Sequence, residues 1–396
     1  MDDVQLTELS VWITDAGLAG QGESAILAGF CEREVARGVP LARGLVLIDT
    51  LHPIYEGRAF RWTRAQKEAT LNEYGRTEDD LNRWRRSPFY WLEESGASVL
   101  RRRLTNETET EFSIFPELRA DGITDYVAMA NRFAGDETIG DMDCVYSSWA
   151  TDSPQGFSDE HIAHLRQHLP FLALAVKSAS LARIAETLVQ TYLGRDPGRR
   201  VLQGRIRRGV AERIEAVLWY SDLRGYTRIS DRAKPEYIIP LLNDYSDTVI
   251  SAIHDEGGDV IKLMGDGILA IFTAEDRGRA CNAALTAALA ARRGASAVKQ
   301  CRAGKGLPTT DIYLALHVGE VFYGNIGSKD RLDFTVVGPA VNEVSRLAAL
   351  CRSVDQPLLA SSAFAAALGE ARSRLVSVGR YALRGVGRPQ DLYTLE

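Results

Sequence analysis

The chain has no long apolar run. None of its hydrophobic stretches approaches the roughly 20 residues that a membrane-spanning helix needs. Its N-terminal segment, MDDVQLTELS, is acidic, whereas a secretory signal begins with basic residues and continues with apolar ones. These two absences predict a soluble, cytoplasmic protein that does not span a membrane.

Closely spaced cysteine pairs and excess positive charge are also lacking. The chain has 5 cysteines, which lie far apart and show none of the paired spacings typical of zinc sites or disulfide frameworks. Its formal net charge of -6 gives it no overall attraction to polyanions. We therefore expect a protein of a reducing compartment that has no nucleic-acid partner.

What the chain does have is enough residues for two domains. A length of 396 residues exceeds one ordinary domain, and 45% hydrophobic with 25% charged residues are the proportions of a globular protein. An arginine- and glycine-rich segment, GRDPGRRVLQGRIRRGVAER, marks a change of composition near the middle. The predicted organisation is a first domain over residues 1–177, a helical linker and hinge over 178–211, and a second domain over 212–396.

The linker begins with a helical pattern. Leu181, Ile184 and Leu188 recur at spacings of three and four, and Gly194 with Pro197 is expected to end this helix. The apolar stripe either packs on its own domain, which we favour, or pairs with a second copy as a short coiled coil. The arginines that follow fit a structured hinge with local ion pairs better than a phosphate-binding surface.

The first domain mixes helical and extended patterns and is expected to be α+β. Its end runs from the strand-like MDCVYSSWATDS to a long helix that starts at Ser158 and Asp159, and it resembles the close of a GAF domain, a small sensory fold. The order of the two domains predicts that the first regulates the second, and a small-molecule ligand of unknown identity is left open. His161, His164 and His168 share one helix face, which permits a metal or haem contact, although a polar outer face with histidines near the surface is favoured.

Two aspartates of the second domain follow apolar strands. In AVLWYSDLRGYTRISDR, a strand ends on Asp222 ahead of a tight turn at Gly225. In DVIKLMGDGILAIF, two extended runs flank Gly265-Asp266-Gly267, which predicts a hairpin with Asp266 at its tip. If the strands are neighbours, the carboxylates can bind a pair of hard cations, and two such ions suit phosphoryl chemistry. Taken alone, either aspartate could simply cap a turn or a helix.

As a whole, the pattern over roughly residues 212 to 396 resembles the catalytic domain of class III adenylyl and guanylyl cyclases. The resemblance implies an α+β ferredoxin-like or palm fold, with a βαββαβ core and a mixed, mostly antiparallel sheet, preceded by the GAF-like α+β domain. It implies that Asp222, Leu223 and Asp266 hold two divalent ions, Mg²⁺ or Mn²⁺. It also implies conversion of ATP to cyclic AMP and pyrophosphate.

Two positions of the resemblance concern the purine base. The residue four before the second metal aspartate is Lys in adenylyl cyclases and generally Glu in guanylyl cyclases, and here it is Lys262. The second position, seven residues before an asparagine, is Thr335, whereas most adenylyl cyclases carry Asp there. Adenine needs one donor and one acceptor, which Lys262 and the Thr335 hydroxyl supply, so ATP is favoured over GTP. Either residue alone could be an ordinary strand residue.

The resemblance assigns Asn342 to the ribose, Arg346 to the charge on the transferred phosphate, and Arg384, with Arg388 as the alternative, to the triphosphate. Asn342 and Arg346 are four residues apart and would share a helix face, although Arg346 could instead pair with Glu343. Class III sites combine two catalytic domains. Because this chain has one, we expect a homodimer with two equivalent sites.

Three other functions are set against this interpretation. A diguanylate cyclase would carry a GG-acid-acid-Phe signature at the hairpin, where this chain has MGDGIL. A guanylate cyclase and a catalytically inactive nucleotide-binding regulatory dimer remain alternatives. The joint presence of the two aspartates, the lysine, the asparagine and the arginine favours an active adenylate cyclase.

Overall fold

The structure, a computed structural model, describes residues 3–104, 111–133, 139–140, 142–383 and 389–396. The chain forms two compact units, Met1–Leu188 and Val189–Glu396. Among the helices of the described ranges, none is long and apolar enough to cross a bilayer.

The first unit is α+β and is built on one six-stranded antiparallel sheet. Its strands are β1 (Arg43–Asp49), β2 (Tyr55–Thr63), β3 (Thr70–Gly75), β4 (Val99–Arg103), β5 (Asp125–Arg132) and β6 (Cys144–Thr151). Its helices are α1 (Asp3–Leu18), α2 (Glu23–Ala36), α3 (Glu78–Arg85), α4 (Pro88–Ser95), α5 (Phe115–Ala120) and α6 (Asp159–Leu193). The strand order is β3-β2-β1-β6-β5-β4. Side chains alternate along central β6, so that Trp149 and Tyr146 lie in separate cores on opposite faces of the sheet.

Helix α6 is one long element. The Ser158 hydroxyl precedes it and accepts the backbone N–H of His161 at 3.1 Å, which confirms the predicted helix start. Leu181, Ile184 and Leu188 pack on the core of the first unit. This packing confirms the favoured interpretation of the apolar stripe.

The arginine-rich segment after α6 is folded. Gly194, with a φ of 94°, ends α6, and the helix α7 (Arg195–Leu202) begins at once. The prediction that Pro197 helps to end a helix is wrong, because Pro197 lies inside α7. A proline is tolerated in a first helical turn, where its missing N–H would have no intrahelical partner.

The second unit is built on an eight-stranded sheet. After α7 come β7 (Ala211–Leu223), α8 (Tyr226–Arg232), a 3₁₀ turn (Pro235–Tyr237), α9 (Ile238–Asp255), β8 (Asp259–Met264), β9 (Gly267–Phe272), α10 (Arg277–Gly304), β10 (Ile312–Gly327), β11 (Leu332–Val337), α11 (Pro339–Ser353), β12 (Leu358–Ser361), α12 (Ser362–Ala367), a second 3₁₀ turn (Gly369–Arg374), β13 (Leu375–Tyr381) and β14 (Gln390–Leu395). The strand order is β13-β14-β12-β10-β7-β9-β8, with β11 paired to β10. The succession β7-α9-β8-β9-α10-β10 is the predicted βαββαβ core, and its four strands pair antiparallel in the order β10-β7-β9-β8. The predicted α+β, ferredoxin-like fold is therefore confirmed.

Strand β7 runs through the middle of this sheet and is covered on both faces. Val217 and Trp219 lie in one core, and Ala216 and Leu218 lie in a second core on the opposite face. Burial on both faces fixes the register of β7 against its neighbours, because a slip of one residue would exchange the two faces. The chain emerging from the end of β7 is therefore held in a defined place.

Helix α7 is fastened to this sheet by a buried carboxylate. Asp196 accepts hydrogen bonds from the Tyr323 hydroxyl at 2.9 Å and from Arg200 Nε at 2.6 Å, and it also pairs with Arg199. Burial acts to raise the pKa of Asp196, but the hydrogen bonds from Arg199, Arg200 and Tyr323 outweigh it and lower the pKa below its usual value. Arg200 also pairs with Glu212. These contacts confirm the local ion pairs expected of the hinge.

The variant Tyr323→Phe tests this attachment. It removes the hydroxyl donor to a buried carboxylate, and we expect the free energy of unfolding to fall by about 1–2 kcal/mol at pH 7. Because the pKa of Asp196 is lowered, its contribution to stability is present above the ordinary aspartate pKa and is lost as the pH falls through the lowered value. In urea unfolding, the difference in free energy of unfolding between wild type and Tyr323→Phe should therefore narrow below about pH 4. The control is Tyr381→Phe, since the Tyr381 hydroxyl has no hydrogen-bond partner among the described residues; equal losses in both variants would contradict the assignment.

Candidate active site

The first predicted metal ligand, Asp222, lies at the end of β7. The strand is buried and apolar from Ala216 to Trp219, and it ends at Leu223 ahead of Gly225, whose φ of 69° allows the tight turn into α8. Asp222 is partly buried, with its side chain 24% exposed. The buried part of β7 thus places the Asp222 carboxylate at the end of the sheet.

The second predicted metal ligand, Asp266, lies at the tip of the β8–β9 hairpin. Met264 pairs with Gly267, so the loop consists of Gly265 and Asp266 alone, and Gly265 has a φ of 65°. This geometry confirms the predicted hairpin. The carboxylate of Asp266 accepts the backbone N–H of Leu223 at 3.3 Å.

The pairing of β7 with β9 brings the two aspartates together. Ser221 lies opposite Ile268, so the end of β7 is adjacent to the hairpin tip. Asp222 and Asp266 line one small cavity together with Ser221, Leu223 and apolar side chains of the core. Leu223 itself has a buried apolar side chain, so its backbone carbonyl is the group that it can offer to a metal ion.

Charge is poorly balanced at this point. Burial raises the pKa of Asp222, Arg352 lowers it, and the neighbouring Asp266 raises it again, so that the net pKa lies above the usual aspartate value. Asp222 Oδ2 accepts a hydrogen bond from Arg352 Nη2 at 3.0 Å. Asp222 Oδ1 is buried and has no hydrogen-bond partner within the described residues. The site therefore has more negative charge and more acceptor capacity than its own cation satisfies.

This donor set fits divalent cations. Carboxylate and carbonyl oxygens are the ligands that Mg²⁺ and Mn²⁺ prefer, and two adjacent carboxylates with a free oxygen provide them. Arg352 is half exposed and can swing into solvent when a metal ion takes its place. Asp222, Asp266 and the Leu223 carbonyl are thus the groups that could hold metal ions here.

The residues expected to contact the purine base lie on β8 and β11. Lys262 is exposed on β8, and its ammonium pairs with the carboxylate of Asp333. Asp333 precedes Thr335 by two residues on β11, so both side chains point to the same face of that strand. Thr335 is partly exposed and lies opposite Gly324 of β10. Lys262 thus pairs with a side chain that shares its strand face with Thr335.

Asn342 and Arg346 lie on α11. The helix begins with Pro339, and the two residues are one turn apart with at least partly exposed side chains. The alternative that Arg346 pairs with Glu343 is wrong, because Glu343 accepts from Gln390 Nε2 at 3.0 Å and no carboxylate of the described residues lies within 4.0 Å of Arg346. Arg346 is therefore available for a phosphate.

Within one chain the two groups of residues stay apart. Neither Asp222 nor Asp266 forms a hydrogen bond or ion pair with Lys262, Thr335, Asn342 or Arg346, and none of the four lines the cavity beside the aspartates. Arg384 and its alternative Arg388 lie outside the described residues, as the described range ends at 383 and resumes at 389.

Sequence reasoning missed two residues of this region, Arg352 and Asp333. Asp333 has a sequence signal, because it stands two residues before Thr335 on a predicted strand and so shares its face. Arg352 has none, since it reaches Asp222 only because the C-terminal turn of α11 lies near the end of β7.

The comparison with known families agrees with this geometry. Residues 210–396 match the sequence family described as the adenylate and guanylate cyclase catalytic domain. With its ferredoxin-like sheet and two adjacent aspartates at one end, this half of the chain belongs to that family of nucleotidyl cyclase domains.

Individual relatives match part of the chain. An adenylate cyclase of Anabaena cylindrica is 35% identical over 148 residues, which are 36% of this chain and 29% of that protein. An uncharacterized protein of Mycobacterium tuberculosis is 34% identical over 211 residues, which are 52% of this chain and 36% of that protein. The chain thus matches about a third of the length of these relatives. A bacterial light-regulated adenylyl cyclase of known structure is similar over 76% of this chain and 92% of its own, with a TM-score of 0.50 and 17% identity, which shows the fold alone.

The variant Asp222→Asn tests the charge imbalance. In EDTA at neutral pH we expect it to raise the free energy of unfolding, because the amide removes a partly buried charge and its repulsion from Asp266. Because the pKa of Asp222 is raised, wild-type stability is lost as the pH rises through that pKa. The difference in free energy of unfolding between Asp222→Asn and wild type should therefore become smaller toward acidic pH. Urea unfolding between about pH 4 and pH 8 measures this difference, and Asp231→Asn at an exposed position is the control. A variant less stable than wild type across this range would show that the bond to Arg352 outweighs burial.

Proposed function

We propose that this chain is an adenylate cyclase, which converts ATP to 3′,5′-cyclic AMP and pyrophosphate. The observation that carries the proposal is the convergence of Asp222 and Asp266 at the end of one sheet, in a domain of the cyclase family. Lys262 and Thr335 favour ATP over GTP within that family.

In the reaction, the ribose 3′ oxygen forms a bond to the α-phosphorus, the bond from that phosphorus to the pyrophosphate oxygen breaks, and the 3′-hydroxyl proton is released. Two divalent ions held by Asp222, Asp266 and the Leu223 carbonyl would acidify the hydroxyl and neutralise the departing pyrophosphate. Asn342 orients the ribose through its side-chain amide. Arg346 donates N–H groups to the α-phosphate oxygens as their charge grows.

Base selection rests on the chemistry of Lys262 and Thr335. The ammonium of Lys262 donates to N1 of adenine, and the hydroxyl of Thr335 accepts from the exocyclic amino group. Guanine presents a donor at N1, which would face the ammonium unfavourably. Asp333 pairs with Lys262 and serves as a positioning residue for its ammonium.

We propose further that the working enzyme is a homodimer. The metal ligands and the residues assigned to base, ribose and phosphate do not meet within one chain, so a second copy supplies what each site lacks. Large apolar side chains are exposed on the strands that carry Lys262 and Thr335 and on β10, which pairs with β11; they are Leu263, Met264, Phe322, Ile326, Leu332 and Val337. Exposed apolar side chains on these strands support an interface there.

Regulation by the first unit, proposed as a GAF-like domain with a small-molecule ligand, would act through the start of the second unit. A Cβ at Gly194 would lie 2.3 Å from the carbonyl oxygen of Val260, two residues before Lys262 on β8. Asp196 of α7 binds Tyr323, whose neighbour Gly324 is paired with Thr335. A displacement of α7 would thus shift both β8 and β11, the strands that carry the base-contacting residues.

A complementation assay tests activity and dimer together. Asp222→Ala and Arg346→Ala should each reduce cyclic AMP formation from ATP with Mg²⁺ or Mn²⁺, the second by about 10²–10³-fold. Co-expressed, they form mixed dimers with one intact site, and activity should return to about a quarter of wild type.

The control for complementation is co-expression of Asp222→Ala with Asp266→Ala, which leaves no intact site and should restore nothing. Chromatography of the nucleotide products measures cyclic nucleotide formation by each variant and each co-expressed pair. Wild-type protein that forms no cyclic AMP would overturn the proposal, and formation of cyclic GMP alone would favour a guanylate cyclase. Full activity of a protein that stays monomeric at high concentration would overturn the dimer.

Exchange of the base-contacting lysine tests the substrate. Lys262→Glu should raise the ratio of kcat/KM for GTP to that for ATP by at least about 100-fold, because the carboxylate accepts from the N1 donor of guanine and repels the N1 acceptor of adenine. Lys305→Glu makes the same charge change at an exposed position of the second unit and should leave the ratio unchanged. An unchanged ratio in Lys262→Glu would remove the lysine from base recognition.

A further inference from the structure

Three side chains of the first unit form a buried cluster that the cyclase reaction does not use. Glu34 lies near the end of α2, and His164 and His168 lie one turn apart on α6. Their exposed fractions are 0%, 4% and 0%. The expectation that the histidines of this helix form a polar outer face near the surface is therefore wrong for His164 and His168.

The cluster is compact enough for one ion. His164 Nε2 lies 3.0 Å from Glu34 Oε2, and His168 Nδ1 lies 3.8 Å from Glu34 Oε1. One donor atom from each residue can be chosen so that all three lie within 4.8 Å of one another. His168 Nδ1 donates to the carbonyl of His164 at 3.0 Å, a hydrogen bond that fixes the orientation of the His168 ring beside Glu34.

Two members of this cluster, Glu34 and His164, are buried without hydrogen bonds to their side chains from the described residues. Both carboxylate oxygens of Glu34 and both ring nitrogens of His164 are buried without a hydrogen-bond partner in the described part of the chain. The 3.0 Å contact between them is therefore short but not aligned along an N–H bond. Buried polar atoms without partners are costly, so such a group calls for an additional partner.

The arginines next to Glu34 are engaged elsewhere. The guanidinium of Arg33 lies 3.8 Å from the ring centre of Trp12, and Arg37 lies 3.9 Å from Glu8. Among the described residues no lysine or arginine comes within 4.0 Å of Glu34. The residues that the structure describes thus supply Glu34 with two imidazoles and with no arginine or lysine.

Helix α2 offers an internal comparison. Its other buried glutamate, Glu23, is paired with Arg58 at 3.3 Å and Arg183 at 3.1 Å and also accepts from Ser180 at 3.2 Å. One buried carboxylate of this helix is therefore neutralised by arginines. Glu34, with comparable burial, faces imidazole nitrogens instead, which are the commonest metal ligands in proteins.

From these observations we propose that Glu34, His164 and His168 bind one divalent transition-metal ion. Two imidazoles and a carboxylate suit Zn²⁺, Fe²⁺ or Co²⁺, whereas Mg²⁺ prefers oxygen ligands alone. Histidines at i and i+4 on a helix can ligate one ion together. Three protein ligands leave a coordination position open, which offers a place for a small exogenous ligand in the first unit.

Metal binding by the whole chain tests the proposal. Protein stripped with EDTA is titrated with Co²⁺ or Zn²⁺ in excess Mg²⁺, which occupies the carboxylate site of the second unit. Bound metal is measured by mass spectrometry, and Co²⁺ ligation is followed by visible absorption. We expect one ion per chain in wild type and at least about 100-fold weaker binding in His164→Gln. The matched control is His161→Ala, on the same helix but outside the cluster, which should bind as wild type does.

Thermal unfolding of Glu34→Gln separates a metal site from a simple ion pair. In EDTA the near-isosteric amide removes an unneutralised buried charge, so the melting temperature should stay the same or rise, whereas Glu23→Gln should lower it by leaving arginines unpaired. Added Zn²⁺ should raise the melting temperature of wild type and not that of Glu34→Gln. A lower melting temperature of Glu34→Gln in EDTA, with no response of wild type to Zn²⁺, would overturn the metal site and leave a buried His–Glu pair. Absence of stoichiometric Co²⁺ in wild type would overturn it as well.

Discussion

The antiparallel pairing of β7 with β9 is the contact on which the candidate active site depends. It sets the end of a doubly buried strand beside a two-residue hairpin loop, so that Asp222 and Asp266 lie together at the edge of the core. Two carboxylates at such a place repel each other, and partial burial strengthens that repulsion. Arg352 balances only part of the charge. The repulsion that costs the protein stability is the same property that would favour the divalent ions proposed to bind there.

Local spacing accounts for what could be predicted from the sequence. The Gly-Asp-Gly turn predicts its own hairpin, and a four-residue spacing predicts that Asn342 and Arg346 share a helix face. Partners brought in by long-range packing could not be predicted. Arg352 meets Asp222 only through the placement of α11, and the histidine face of α6 is buried because α2, with Glu34, packs on it. A helix pattern alone does not show which neighbour will cover it.

The two acidic clusters of this chain differ in the chemistry of their donors. Asp222 and Asp266 offer oxygen atoms only, and Asp222 lies beside the half-exposed guanidinium of Arg352. Glu34 lies buried in a core with two imidazoles. In the proposed sites the oxygen-only set therefore suits hard cations, and the set with two imidazoles suits borderline ones. An assay that supplies only Mg²⁺ would report on the second unit alone.

The two-residue loop of the β8–β9 hairpin has a consequence for the proposed dimer. Lys262 and Asp266 lie on one short, stiff element, four residues apart. In a symmetric dimer, the lysine of this hairpin faces the base in one site, while the aspartate holds ions in the other. In the proposed dimer, each nucleotide would therefore contact the β8–β9 hairpins of both copies. In the proposed dimer, nucleotide binding at one centre would therefore act on an element that also serves the other, which would couple the two centres.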